Sequence, residues 1–295
     1  MDLTAFADEV GVEGPVTISG LGTRGGPVAG VRCVHAPSGI DWLQADEMTV
    51  CCGAGTPIDE LQSALAAVGQ RVALPAGGTV GGALAVGHGD VRRLGDGPVR
   101  DALLQARYVS SAGEVVKAGG PTVKNVSGFD LCRLLVGSHG TIGFVGEVIL
   151  RTRPIPPVSR WFTIETDEPM TVFGAVHRPV SVLWDGRIVH VLLEGHPLDV
   201  DAQARRLGLV PSEDAPVLPP GRRLVAPSQT LAEVAARPAG SVVAELGLGI
   251  LHVQPDPEGS RTVPASDPGV AAIEARVKAQ FDPTGRLNPG RTARG

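Results

Sequence analysis

Hydrophobic and polar positions alternate in short runs along the first half of the chain, and turn glycines separate the runs. Three runs are rich in β-branched or apolar residues and bounded by Gly or Pro, as strands are: residues 16–19, 31–35 and 48–52. Residues 102–109 and 114–117 flank the sequence SSAG, which predicts a β-hairpin. Residues 141–153 alternate well enough to form a further strand.

Apolar residues at a spacing of three or four predict helices. In residues 58–68 such a stripe follows Thr56, a potential cap, and Pro57, which suits the first helical position, and Gly69 ends it. Three more helices are predicted in the second half of the chain: residues 170–177, 198–207 and 268–281, the last with Ile273, Val277 and Phe281 on one stripe.

The sequence PIPP at residues 154–157 interrupts the pattern and predicts a domain boundary. We therefore expect one domain over residues 1–155 and a smaller α+β domain over residues 156–295. Strands are expected in the second domain at residues 160–165, 181–184, 187–193 and 241–253. The Pro-rich residues 211–220 are expected to form an exposed loop.

Composition narrows the function classes. Hydrophobic residues make up 43% of the 295 residues, which is enough for two cores. A net charge of −5, the absence of a basic run and an aromatic content of 3% argue against nucleic-acid binding. No apolar run reaches the roughly 18 residues of a membrane span, and the first residues lack a signal-peptide pattern. The four cysteines form no C-x-x-C pair, which favours buried reduced thiols in a cytoplasmic protein.

Glycine is concentrated in three clusters: residues 20–25 (GLGTRG), residues 75–83 (PAGGTVGGA) and residues 137–143 (GSHGTIG). The first matches the dinucleotide fingerprint G-x-G-x-x-G, and Asp41 lies near the offset that the fingerprint predicts. The continuation GPVAG is a poor helix start, so we reject a Rossmann fold. Glycines allow backbone N–H groups to approach phosphate oxygens closely. Three clusters in one predicted domain therefore favour a large ligand with a diphosphate.

The order of these segments, together with VRD at 99–101, KNVSGFDL at 124–131 and the final FDPTGRLNPGR at 281–291, resembles the vanillyl-alcohol oxidase or PCMH-type FAD-binding family. Within that superfamily it is most similar to the FAD-binding subunits of bacterial glycolate oxidases. The resemblance covers most of residues 1–155 and the last fifteen or so, whereas the middle, from about residue 158 to 265, resembles no family. It implies an α+β fold, in which a PCMH-type FAD-binding domain of two α/β subdomains precedes a smaller α+β cap domain.

The resemblance also implies a set of cofactor-binding residues. They are Gly20, Gly22 and Thr23 in a pyrophosphate loop, Gly78, Thr79, Gly81 and Gly82 opposite, Gly128 and Asp130 along the flavin and its phosphate arm, Gly140, Thr141, Ile142 and Gly143 continuing the pocket, and Val148 near the adenine. Relatives with covalent flavin have His where this turn has Thr23, so non-covalent FAD is implied. For the neighbouring pair Arg100 and Asp101, we favour a structural salt bridge over a cofactor contact.

The implied function is that of an FAD-binding oxidoreductase subunit in a glycolate-oxidase-like complex. Its expected partners are a second flavoprotein subunit and an iron–sulfur subunit, with a hydroxy-acid substrate and peripheral membrane contact only through partners. The late H-x-G-D-G-N-x-H-like segment of related 2-hydroxy-acid dehydrogenases is absent, so no catalytic residue and no metal site is predicted. His252 is the nearest candidate, although a lone His in an apolar strand is more often a packed residue. A stand-alone dehydrogenase of a small hydroxy acid or alcohol and a non-catalytic structural subunit remain alternatives.

Overall fold

The structure is a computed structural model that describes residues 1–121, 130–238, 240–254 and 268–292. Its contacts divide the chain into two units. Unit 1 comprises Met1–Asp90, Pro98–Ile155 and Asp267–Gly295, and unit 2 comprises Val91–Gly97 and Pro156–Ser266.

Unit 1 is built on a mixed set of helices and strands. Its helices are α1 (Thr4–Val10), α2 (Ile58–Ala66), α3 (Val80–Val86), α5 (Leu131–Leu135) and α9 (Pro268–Phe281). Its strands are β1 (Val16–Ser19), β2 (Arg32–His35), β3 (Ile40–Gln44), β4 (Thr49–Gly53), β5 (Gln70–Val72), β6 (Leu103–Val109), β7 (Val115–Gly119) and β8 (Phe144–Pro154). β1 and β2 pair in parallel, and the other six form one sheet in the order β3-β4-β8-β6-β7 with β5 also on β8.

The core of unit 1 lies between this sheet and its helices. Ile58, Leu61 and Leu65 of α2 are fully buried, as the predicted stripe requires, and pack with Val50 and Leu150 of the sheet. A second cluster around Phe6, Val16 and Phe144 supports the β1–β2 pair. The segment that begins at Val16 is thereby fixed against the rest of the unit.

Within its described residues, unit 2 has one seven-stranded sheet and four α-helices. The helices are α4 (Arg93–Asp96), α6 (Pro169–Ala175), α7 (Pro197–Leu207) and α8 (Thr230–Ala235). The strands are β9 (Val158–Glu165), β10 (Ser181–Trp184), β11 (Ile188–Gly195), β12 (Val210–Ser212), β13 (Gly221–Leu224), β14 (Val242–Glu245) and β15 (Ile250–Val253). All neighbours are antiparallel, in the order β12-β9-β11-β10-β14-β15-β13. Residues of α6, α7 and α8 contribute to the core on one face of this sheet.

Most predicted elements are confirmed, and the mixed α+β fold is confirmed with them. The hairpin is β6–β7, and α9 spans the predicted residues, although Ile273 is 59% exposed and only Val277 and Phe281 pack against the core. Nine of the described α-helices and strands were not predicted: α1, β3, β5, α3, α4, α5, β12, β13 and α8. α3 was missed because its glycines are typical of a loop, whereas the Thr79 hydroxyl caps the helix by accepting from the amide of Gly82.

The end of the chain belongs by its contacts to unit 1, whereas the sequence analysis placed it with the second domain. Arg286 is the physical reason, since its buried guanidinium donates to backbone carbonyls of the first fourteen residues and of Ser111. The short segment Val91–Gly97 is the converse case and belongs to unit 2. No helix within the described ranges is long and apolar enough to cross a membrane.

Candidate functional site

The first glycine cluster follows β1 and leaves its backbone amides unused. In the part of the chain that the structure describes, no N–H group of residues 20–26 donates a hydrogen bond. Consecutive amides of this kind, in a turn with positive φ at Gly22, Gly25 and Gly26, can bind an anion. The loop therefore has the chemistry that a phosphate group requires.

Arg24 attaches this loop to the second glycine cluster. Its guanidinium donates to the carbonyls of Gly77 at 2.7 Å, Ala76 at 3.1 Å and Pro75 at 3.3 Å. Burial lowers the pKa of Arg24 from its ordinary value, and the group still carries its charge at neutral pH. The two loops are thus joined, and a positive charge is left between them.

Two glycines permit the close approach of these loops. A Cβ on Gly20 would lie 2.7 Å from Oγ1 of Thr79, the residue that caps α3. A Cβ on Gly78, where φ is +70°, would overlap Arg24 and Thr23. Larger residues at either position would force the loops apart.

The third cluster is attached to the end of α3. The amide of His139 donates to the carbonyl of Ala85 at 2.9 Å, and that of Gly137 donates to Leu84 at 2.9 Å. His139 itself adopts φ +52°, a left-handed conformation that a non-glycine residue adopts only with support. The support comes from Asn288, whose Nδ2 donates to the His139 carbonyl at 2.7 Å.

Asn288 also holds the first loop, so it connects two of the three clusters. Its Oδ1 accepts from Oγ1 of Thr17 at 2.7 Å and from the amide of Ile18 at 3.2 Å, both in β1. Asn288 is 1% exposed and has φ +44°, which Asn tolerates better than most residues. The NPGR motif at the end of the chain therefore positions the loops rather than merely terminating the fold.

The rest of that motif fixes Asn288 in place. The buried carboxylate of Asp282 accepts from the amides of Arg286 at 3.1 Å and Leu287 at 2.8 Å and pairs with Lys278. Arg286 is 5% exposed and donates to the carbonyls of Val10, Gly11, Glu13, Gly14 and Ser111. Hydrogen bonds therefore join residues 282–288 to the segment before β1.

The three loops line an open cleft within unit 1. The cleft is lined by residues 18–24, Gly26, Ala36, Ala54, Gly55, Thr79, Gly81, Gly82, Ala85, Val86, Leu135, Ser138, His139, Gly140, Gly143, Phe144, Val145, Asn288 and Arg291. Arg24 and Arg291 are cationic, and none of the described residues that line the cleft is acidic. Burial, followed by the charge of Arg291, lowers the pKa of His139. The cleft thus combines cationic side chains, unused amides and apolar walls.

The structure places the predicted cofactor residues in different surroundings. Eight of them line the cleft: Gly20, Gly22, Thr23, Thr79, Gly81, Gly82, Gly140 and Gly143. Gly78 lies behind this lining, against Arg24. Ile142 and Val148 are buried in the core of unit 1, and the Thr141 hydroxyl donates to the Ser138 carbonyl. Asp130 is exposed, caps α5 and pairs with Arg133, and Gly128 lies outside the described residues.

Several lining residues were not assigned a role from the sequence, among them Arg24, Asn288 and Arg291. Arg24 stands within the first glycine cluster, and the other two stand within the final motif, so their motifs were the available signal. The expected salt bridge between Arg100 and Asp101 is present at 3.9 Å, with both side chains half exposed.

The cysteines are free, and three of the four are buried. Burial raises the pKa of Cys51 to about 11, of Cys52 to about 12 and of Cys132 to about 11. Cys33 is exposed, which departs from the expectation of buried thiols. Asp41, Cys51 and Glu147 lie close enough for metal ligation among the described residues, but the two carboxylates pair with the Met1 ammonium and the Cys51 thiol stays protonated.

Comparison with known proteins shows what parts of this chain are similar to. Residues 15–119 match the family described as FAD binding domain, which confirms the resemblance inferred from the glycine clusters. The structure of an alkyldihydroxyacetonephosphate synthase superposes on this chain with a TM-score of 0.64 and 14% sequence identity. The alignment covers 97% of this chain and 73% of the synthase chain, and it shows a similarity of fold alone.

Curated relatives share part of the sequence. Glycolate oxidase subunit GlcE of Escherichia coli K12 is 36% identical over 157 residues, which is 49% of this chain and 44% of that protein. D-lactate dehydrogenase of Archaeoglobus fulgidus is 36% identical over 38% of this chain and 26% of its own length. D-2-hydroxyglutarate dehydrogenase of Xanthomonas citri pv. viticola is 30% identical over 52% of this chain and 35% of its own. This chain thus spans less than half the length of these relatives.

Proposed function

We propose that the cleft binds FAD non-covalently and that the chain is the FAD-binding subunit of a glycolate-oxidase-like oxidoreductase. The observation that carries the proposal is the first loop, in which seven consecutive residues have amides with no partner in the described chain, beside two arginines. A dinucleotide diphosphate is the ligand that such a loop suits best. The family match over residues 15–119 supports FAD as the dinucleotide.

The residues present fit the cofactor. The amides of residues 20–26, with the charges of Arg24 and Arg291, would hold the diphosphate. Thr79, Gly81 and Gly82 in the second loop, and Gly140 and Gly143 in the third, would line the remainder of the cofactor. Gly128, Asp130, Thr141, Ile142, Val148 and Gly78 remain proposals from the resemblance alone. Thr23 cannot form a histidyl bond to flavin, so the cofactor is held without a covalent link.

The substrate and the partners are proposed from the relatives. Bound FAD supplies the redox chemistry, because its isoalloxazine takes up the electrons that the substrate loses. The names glycolate oxidase, D-lactate dehydrogenase and D-2-hydroxyglutarate dehydrogenase support a small 2-hydroxy acid as the reductant. The similarity to a glycolate oxidase subunit supports a multi-subunit complex. The second flavoprotein, the iron–sulfur protein and a cytoplasmic location with membrane contact only through partners are proposed from the family resemblance alone.

The first experiment is a visible absorbance spectrum of the purified chain, repeated on the supernatant after acid precipitation. Flavin absorbance that moves to the supernatant is expected. A colourless protein that FAD cannot reconstitute would contradict the proposal. Anaerobic addition of glycolate or D-lactate then separates the roles, since bleaching by the chain alone would indicate a complete dehydrogenase and bleaching only with partner subunits would indicate a subunit.

Gly20→Val tests whether the cleft is the FAD site. Its side chain would meet Thr79, because a Cβ already lies 2.7 Å from Oγ1 of that residue. Overpacking costs about 1–3 kcal/mol, so we expect FAD to bind about tenfold more weakly or worse in a fluorescence titration. Gly120→Ala is the matched control in unit 1, since a Cβ there has nothing within 4 Å, and FAD affinity should be unchanged.

A further inference from the structure

The seven-stranded sheet of unit 2 has one apolar face and one face with ionisable residues. Strand register puts Val242, Ala244 and Leu251 on the face that α6, α7 and α8 cover. The alternate residues of β14, β15 and β13 lie on the opposite face, hereafter the polar face. On this face, Arg222 of β13 is the strand partner of His252 of β15, and His252 is in turn the strand partner of Val243 of β14. Glu245 lies two residues after Val243 in β14 and is therefore on the same face.

His252 and Glu245 form a nearly buried pair on the polar face. Nε2 of His252 lies 2.8 Å from Oε1 of Glu245, and the two side chains are 14% and 4% exposed. Because a carboxylate only accepts hydrogen bonds, Nε2 carries the proton, and Nδ1 of a neutral ring is left as an acceptor. The pair thus directs one acceptor nitrogen away from the carboxylate.

The second oxygen of Glu245 has no partner. Oε2 is buried and makes no hydrogen bond within the described residues. The same holds for Oγ of Ser181. Ser181 lies on the polar face, because it is two residues before Leu183, the strand partner of Glu245. Leaving a buried polar atom unpaired costs about 1–3 kcal/mol. Two such atoms on one face indicate that a polar molecule completes this surface.

Arg222 provides a cation at the same place. It makes no hydrogen bond or ion pair in the described part of the chain. Burial lowers the pKa of Arg222, the charge of Glu245 opposes this shift, and the charge of Arg93 adds to it. A guanidinium that is desolvated and unpaired is suited to a carboxylate, which it can bind with two hydrogen bonds.

We propose that Arg222, His252 and Glu245 form a binding site for a small hydroxycarboxylate on the polar face of unit 2. Arg222 pairs with the carboxylate, and Nδ1 of His252 or Oε2 of Glu245 accepts a hydrogen bond from the hydroxyl. The identity of this ligand as the substrate rests on the proposed function, whereas the binding itself does not require FAD chemistry.

Binding is measured with glycolate by isothermal titration calorimetry on the full chain, and acetate serves as the analogue that lacks the hydroxyl. The imidazole signals of His252 in ¹H–¹⁵N spectra give a readout at the site. We expect glycolate to bind more tightly than acetate and to shift the His252 signals. Absence of glycolate binding, or binding that leaves those signals unchanged, would overturn the proposal.

Arg222→Gln should weaken glycolate binding about tenfold or more, the typical effect of losing a charged partner. Arg223→Gln is the matched control, because Arg223 is the next residue of β13, exposed and on the opposite face. His252→Gln should reduce the preference for glycolate over acetate. Equal losses in the Arg222 and Arg223 variants would overturn the proposal.

The FAD content of each variant, read from its absorbance, keeps the two proposals apart. Glycolate binding to a chain that takes no FAD would contradict the proposed cofactor and leave the hydroxycarboxylate site supported. Normal FAD content without glycolate binding would overturn the site and leave the cofactor proposal supported.

Discussion

In unit 1, side chains form hydrogen bonds with the backbone of the glycine loops, and backbone amides of the first loop have no partner in the described chain. In unit 2, the strands pair their backbone groups with one another, and polar atoms of some side chains have no partner in the described chain. Backbone carbonyls and amides are the hydrogen-bond partners of the side chains of Arg24, Arg286 and Asn288. Arg222 and Glu245 have donor or acceptor atoms without partners in the described chain. The first arrangement suits a ligand recognised by shape and phosphate, and the second suits a small ligand recognised by its functional groups.

The difference also decides which site a sequence reveals. A loop that works through its backbone needs glycines at particular positions, and clustered glycines are visible in one sequence. A site made by side chains on three strands needs only the correct register, and no spacing rule marks it. No sequence pattern marks Arg222 or Glu245, and His252 was the nearest candidate, with a packing role favoured over a functional one.

The largest effect is expected from breaking the support of unit 1 at Arg286. Arg286→Gln removes a guanidinium that donates hydrogen bonds to five backbone carbonyls. Removing one partner of a buried charged network lowers the free energy of unfolding by about 3–5 kcal/mol. We expect a loss of that order in the free energy of unfolding by urea, with lower FAD content. Arg276→Gln, on an exposed position of α9, should change stability by less than about 0.5 kcal/mol. Similar stability of both variants would mean that the tail does not support the loops.

A smaller and more local effect is expected at Asn288. Asn288→Asp keeps the acceptor for Thr17 and Ile18 but loses the donor to the His139 carbonyl. Because an unpaired buried group costs about 1–3 kcal/mol, FAD should bind about tenfold more weakly in a fluorescence titration, while the fold persists by circular dichroism. Unchanged FAD affinity would show that the third loop does not depend on this link, and Gly120→Ala is again the control.

The smallest perturbation uses the native thiols, all four of which lie in unit 1. At pH 8 only the exposed Cys33 should react with a maleimide, because burial keeps the other thiols protonated and inaccessible. Mass spectrometry should find one label on the folded chain and four after unfolding in urea. Faster labelling of Cys51, Cys52 and Cys132 in Arg286→Gln would localise the damage to unit 1.

The raised thiol pKa values also set a direction for pH dependence. Unfolded thiols ionise near their ordinary pKa of 9.0, whereas the buried ones stay protonated to about 11 or 12. The unfolded state therefore binds fewer protons above pH 9, and the stability of unit 1 should fall as the pH rises from 9 to 11. Urea midpoints measured across this range check the sign, and a rising midpoint would contradict it.

Local chemistry in the sequence was sufficient for much of unit 1 and for the class of ligand. Turn glycines, the hairpin at SSAG and the span of α9 depend on neighbouring residues, so a single sequence determines them. The glycine clusters likewise indicated a diphosphate ligand, because close approach to phosphate requires glycine wherever it occurs in the fold.

Only the tertiary structure decided what joins distant parts of the chain. Asn288 and Arg286 contact residues more than 260 positions earlier, and nothing in their motif names those partners. The polar face exists because three strands pair in one register, which sets Arg222 beside His252. Local propensity acts over a few residues, whereas burial and strand register are properties of the assembled core, and these contacts follow from the latter.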